Sequence, residues 1–71
     1  MVINHEQSIE FAEAVARVRN DFLEMPGLLL TQAQAARLWA FDKTLCERVL
    51  ATLVDSGFLV RTRGVAFARR G

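Results

Sequence analysis

Apolar and polar positions along this chain recur in a way that predicts six short elements. Over about residues 5–24 the apolar side chains return every three or four positions, the period of a helix. Phe11, Val15, Val18, Phe22 and Met25 form one stripe and Ile9, Ala12, Ala16 and Leu23 a shoulder beside it, with Glu10, Glu13, Arg17, Asn20, Asp21 and Glu24 on the remaining face. Asn4, with Gln7 three residues on, forms a candidate capping box at the start, and Pro26-Gly27 stops the helix. The apolar arc covers about half the circumference, wider than packing on a single core requires. Two readings follow. Either a small fold uses the whole arc internally, or the shoulder Ile9, Ala12, Ala16 and Leu23 is the seam of a homodimer.

Beyond the Pro-Gly stop, the run Gly27 to Leu30 reads as a brief buried strand over about residues 28–30. Thr31 followed by Gln34 is a second capping box, and the alanine-rich stretch after it predicts a two-turn helix over about residues 32–39. Ala40-Phe41-Asp42 breaks the period. Asp42 is placed to cap a third helix, about residues 43–56, with Leu45, Cys46, Val49, Leu50, Leu53 and Val54 inward and Lys43, Thr44, Glu47, Arg48, Ala51 and Asp55 outward. Gly57 suits a left-handed C-terminal cap, with Phe58 packing back on Leu53. Two β-rich runs over about residues 58–69 predict a hairpin turning at Arg63-Gly64, with a longer, looser loop as the alternative because arginine is a poor residue for positive φ.

Size and composition narrow the classes. A chain of 71 residues makes one domain, here taken as 1–71, and an apolar share of 52% with 24% charged residues is that of a folded protein. The lone cysteine, Cys46, leaves no internal disulfide and fits a reducing compartment, the cytoplasm. No Cys and His sit at metal-ligand spacing, so neither metal nor cofactor is expected. The N-terminal segment Met1 to Glu6 has no basic or apolar signal region, and the apolar run Gly27 to Leu30 is too short for a bilayer, so neither export nor membrane insertion is expected. One His, one Cys and no Tyr do not assemble a nucleophile, base and orienter, which argues against an enzyme. Trp39 and Cys46 are expected in the core, and His5 on the surface of the first turn. The chain has no room for a ligand-sensing domain, so no small-molecule ligand is expected.

Net charge is only +1, but it is unevenly placed. Residues 1–36 carry two arginines against five carboxylates, 2 − 5 = −3, while residues 37–71 carry seven cations against three carboxylates, 7 − 3 = +4. Such asymmetry is the electrostatic footprint of a nucleic-acid binder.

The predicted order, helix, strand, helix, tight turn, helix, hairpin, resembles the winged helix-turn-helix domains of bacterial transcription regulators. The likeness is carried by Thr31 to Leu59. Ala36 matches the small residue where the two helices cross, Trp39 and Phe41 the apolar residues flanking the turn, and Asp42 the cap of the recognition helix. Cys46, Val49 and Leu53 match its inward positions, and Gly57-Phe58-Leu59 the entry to the wing. Ala40 stands where these domains usually have glycine. The resemblance implies a mainly α fold with a small β-hairpin (α+β) and sequence-specific binding of double-stranded DNA; a homodimer through the first helix is expected because one short recognition helix gives limited affinity and two half-sites multiply it. The third helix would enter the major groove and the wing would touch backbone or minor groove. Lys43, Thr44, Glu47 and Arg48 would face the groove, Arg48 suited to a guanine and Glu47 to a cytosine amine, with Arg61, Arg63, Arg69 and Arg70 on phosphates. The competing reading is a winged-helix module that grips a partner protein instead of DNA, favoured by the wide apolar arc and the low net charge.

Overall fold

The computed structural model describes residues 3–63 and 66–70, the first six of them, 3–8, as backbone alone. The elements follow the order α1 (Ile3–Glu24), β1 (Leu29–Thr31), α2 (Gln32–Trp39), α3 (Lys43–Asp55), β2 (Leu59–Thr62) and β3 (Ala66–Arg69). The strands form one antiparallel sheet in the order β1-β3-β2, so the last strand lies between the other two. This is the small α+β arrangement that the sequence predicts.

Helix ends are set by local chemistry. Thr31 Oγ1 accepts from the Gln34 amide at 3.2 Å while Gln34 Oε1 accepts from the Thr31 amide at 3.0 Å, closing the capping box of α2. Asp42 Oδ1 accepts from the Leu45 amide at 2.7 Å at the start of α3, a cap contributing about 1 kcal/mol. At its far end Gly57 takes φ +86°. The Phe58 amide donates to the Leu53 carbonyl and the Gly57 amide to that of Val54, both at 3.0 Å, the paired bonds of a Schellman cap.

The same device closes α2 without a glycine. Ala40 adopts φ 57° and ψ 41°, and the Phe41 amide donates to the Ala36 carbonyl at 3.0 Å. A β-carbon in the left-handed region costs about 1–2 kcal/mol, and glycine's greater freedom in the unfolded chain costs about 0.5–1 kcal/mol in return. Ala40→Gly is therefore expected to stabilise the domain by about 0.5–1 kcal/mol, seen as a rise of roughly 4 °C in thermal midpoint by far-UV circular dichroism. A fall in midpoint would mean that the turn relaxes in solution.

The core lies where α1, α2, α3 and the sheet converge. Val18 and Phe22 from α1, Ala35 and Trp39 from α2, Cys46, Val49, Leu50 and Leu53 from α3, and Leu59 and Phe67 from the sheet are all buried. Phe22, Trp39 and Phe41 form an aromatic row, with ring centroids 6.0 and 6.2 Å apart. Trp39 Nε1–H donates to Asp21 Oδ2 at 2.5 Å, joining the end of α2 to α1.

Several boundaries and placements differ from the expectation. Helix α1 begins at Ile3, so Asn4 lies inside it rather than at its cap; the side chains of Asn4, His5 and Gln7 lie outside the described ones. Met25 is 46% exposed rather than part of the stripe, because the helix ends at Glu24 and the Leu28 amide bonds the Met25 carbonyl in the turn. Strand pairing runs over Leu29–Thr31 rather than 28–30, and the strand is not buried as expected, since Leu29 at the sheet's edge is exposed. Ala14, three residues from Phe11 and four from Val18, is buried although the expected stripe omits it. Asp21 belongs to the tryptophan contact, not to the solvated face. Ser56 is the cap of α3 rather than its last turn. The pairing Thr62↔Ala66 makes the hairpin connection three residues long. Gly64 lies outside the described residues. Arg63 takes φ 53°, the conformation arginine disfavours.

Candidate nucleic-acid interface

Helix α3 buries one face and shows the other. Cys46, Val49, Leu50 and Leu53 are buried and Leu45 and Val54 half-buried, whereas Lys43, Thr44, Glu47, Arg48, Ala51 and Asp55 are exposed, as their spacing predicts. The outward face carries Lys43 and Arg48 against Glu47 and Asp55, so its own charge is balanced.

The four groove-facing candidates are not equivalent. The Arg48 guanidinium lies over the Phe11 ring of α1, 4.8 Å from its centroid. Such a contact contributes about 0.5–1 kcal/mol at an exposed site and holds Arg48 toward α1, away from the middle of the outward face. Glu47 leans the other way: its Oε2 accepts from Gln32 Nε2 at the start of α2, at 3.2 Å. Lys43 and Thr44 stand in the first turn of α3, exposed to solvent.

The hairpin arginines divide similarly. Arg61 pairs across the sheet with Phe67, and its guanidinium sits over that ring at 5.3 Å. Arg63 is exposed at the turn, Arg69 half-buried on β3, and Arg70 exposed just beyond it. The Arg70 amide donates to the Phe58 carbonyl at 2.9 Å, fixing the chain where it leaves the sheet.

Open hollows flank α3, two of them bordering candidate residues. One, of about 460 Å³ between α3 and the hairpin, has Leu50, Val54 and Phe67 in its floor and Glu47, Asp55 and Arg61 on its rim. The other, of about 490 Å³ between α2 and the start of α3, is walled by Ala33 and Ala36 and edged by Gln32, Arg37 and Lys43. Gln32 and Arg37 are the residues that the sequence reading does not single out. Arg37 is visible there only as part of the charge balance, and Gln32 only as the residue after a cap.

Cys46 is fully buried and its thiol contacts the Gln32 carbonyl at 3.7 Å. Burial, and then the negative charge of Glu47, push the thiol above the ordinary range, so the reactive thiolate is scarce at neutral pH. On α1, Ile9 and Leu23 are 46% and 41% exposed, with Ala12 and Ala16 exposed between them. The shoulder is therefore left exposed by the fold: α1 turns its other side to α3 and β3 and meets the end of α2 through Asp21 and Phe22. No protein-family model, no curated protein and no solved structure matches this chain.

Proposed function

We propose that this chain is the DNA-binding domain of a small transcription regulator, a winged helix-turn-helix that reads double-stranded DNA with α3 in the major groove and the β2–β3 hairpin on backbone or minor groove. The observation that carries the reading is that the first turn of α3 is capped by Asp42 and offers Lys43 and Thr44 to solvent, with Arg37 edging the same hollow as Lys43 and the cations Arg61 and Arg63 exposed on the hairpin. A capped helix start with unencumbered polar side chains and basic residues to either side is the geometry by which such helices meet base edges and phosphates. The cytoplasm is the compartment that suits a single unpaired thiol, and among the described residues no helix is long and apolar enough to cross a membrane.

The exposed shoulder Ile9, Ala12, Ala16 and Leu23 supports a homodimer formed through α1, which would present two recognition helices to two half-sites. The same shoulder, together with the balanced charge of α3, is what favours the second reading, a module that binds a partner protein. Fluorescence anisotropy with a labelled duplex at low salt, alongside light scattering, separates them. The DNA reading expects saturable binding and a mass of twice 8.0 kDa that grows on addition of duplex. A chain that binds no duplex at low salt, at either mass, excludes it.

A further inference from the structure

We infer that Glu47 is the specificity-determining residue of the DNA-binding reading on which this inference rests, that it selects a cytosine, and that Gln32 positions it. Of the outward residues at the start of α3, Arg48 is occupied by Phe11. Lys43 is a point charge suited to phosphates, and Thr44 discriminates weakly. Glu47 stands four residues after Lys43, one turn further along the same face.

A carboxylate turned toward a polyanion is unfavourable unless it meets a hydrogen-bond donor. In the major groove a guanine edge shows two acceptors, thymine an acceptor and a methyl group, and adenine an amine with an acceptor beside it. Only cytosine shows a donor alone. An ionised carboxylate accepts and does not donate, so Glu47 attracts one base and repels the others, using repulsion as much as attraction to discriminate.

Its aim is set from another element. Gln32 is the first residue of α2, its backbone pinned between the Thr31–Gln34 capping box and the Cys46 thiol on its carbonyl. From there Nε2 donates to Glu47 Oε2 at 3.2 Å and leaves Oε1 to accept from a base. The amide is neutral, so it orients the carboxylate without cancelling the charge that does the discriminating.

The test compares a preferred duplex, found by selection from a randomised pool, with its single-base variants by fluorescence anisotropy. The wild-type chain is expected to show one position at which cytosine is favoured by about tenfold. Glu47→Ala should lose that preference while binding unrelated duplex more tightly, and Glu47→Gln should move it toward adenine, which a side-chain amide recognises through two bonds. Gln32→Ala should weaken the preference several-fold at the same position, with thermal midpoint and salt dependence unchanged. Glu47→Ala that keeps every base preference, or loses one for a base other than cytosine, overturns the assignment. Gln32→Ala without effect on the preference overturns its positioning role. Absence of duplex binding by the wild-type chain instead overturns the DNA reading itself.

Discussion

Trp39→Ala is expected to lower the thermal midpoint by more than about 15 °C. Trp39 is 3% exposed, packs between the tilted rings of Phe22 and Phe41 and holds Asp21 of α1 through its indole N–H. Truncating a buried tryptophan to alanine costs about 3–5 kcal/mol. A domain of 71 residues has roughly 4–11 kcal/mol in total at about 0.05–0.15 kcal/mol per residue. Between a quarter and all of the stability therefore depends on this side chain. Trp39→Phe separates the two contributions: it keeps most of the packing but leaves Asp21 without its donor, at an expected cost of about 1–2 kcal/mol. Denaturant unfolding measures both, and a loss below about 1 kcal/mol for Trp39→Ala would show that α2 does not pack on α1 in solution as described.

The second large effect is electrostatic. If four phosphates per protomer are met by Arg37, Lys43, Arg61 and Arg63, the logarithm of the DNA association constant falls with the logarithm of salt concentration at a slope of about −3.6. Raising salt from roughly 50 to 200 mM then weakens binding about 150-fold per protomer. Arg63→Ala should reduce the slope by about 0.9 and weaken all sequences alike, because a phosphate contact carries no base information. A slope near zero in a titration across this range would mean that whatever holds the duplex is not this set of cations.

What the sequence makes legible is what short-range chemistry decides. The Thr31–Gln34 box, the Asp42 cap and the Gly57 stop each involve residues within a few positions of one another, so type and spacing are enough to place α2 and α3. The special backbone at Ala40 is marked by the position itself, where a glycine is expected and a left-handed alanine is found. What the sequence hides is contact between elements. Asp21 reads as one more carboxylate on a polar helix face, because the indole it meets is 18 positions away. The Gln32–Glu47 bond spans 15 positions. Arg48 looks like a guanine reader by type and place, and only the approach of α1 to α3 sets it over Phe11. Arg61 is likewise drawn to Phe67 by the register of β2 and β3, which no local signal announces. The wide apolar arc of α1 is equally silent on its own fate, since whether a shoulder is covered depends on how many neighbours the helix has.

The burial of Cys46 has a practical consequence for that shoulder. The chain has no other cysteine, and this one is sealed on the buried face of α3 with its thiol held protonated. A maleimide or a disulfide reagent applied to the folded protein therefore meets an almost silent background. A cysteine introduced at Ala16, midway between Ile9 and Leu23, would be the single reactive thiol of the molecule. In a two-fold antiparallel seam centred there it would face its own copy, so mild oxidation would record the geometry of the dimer as a covalent bond.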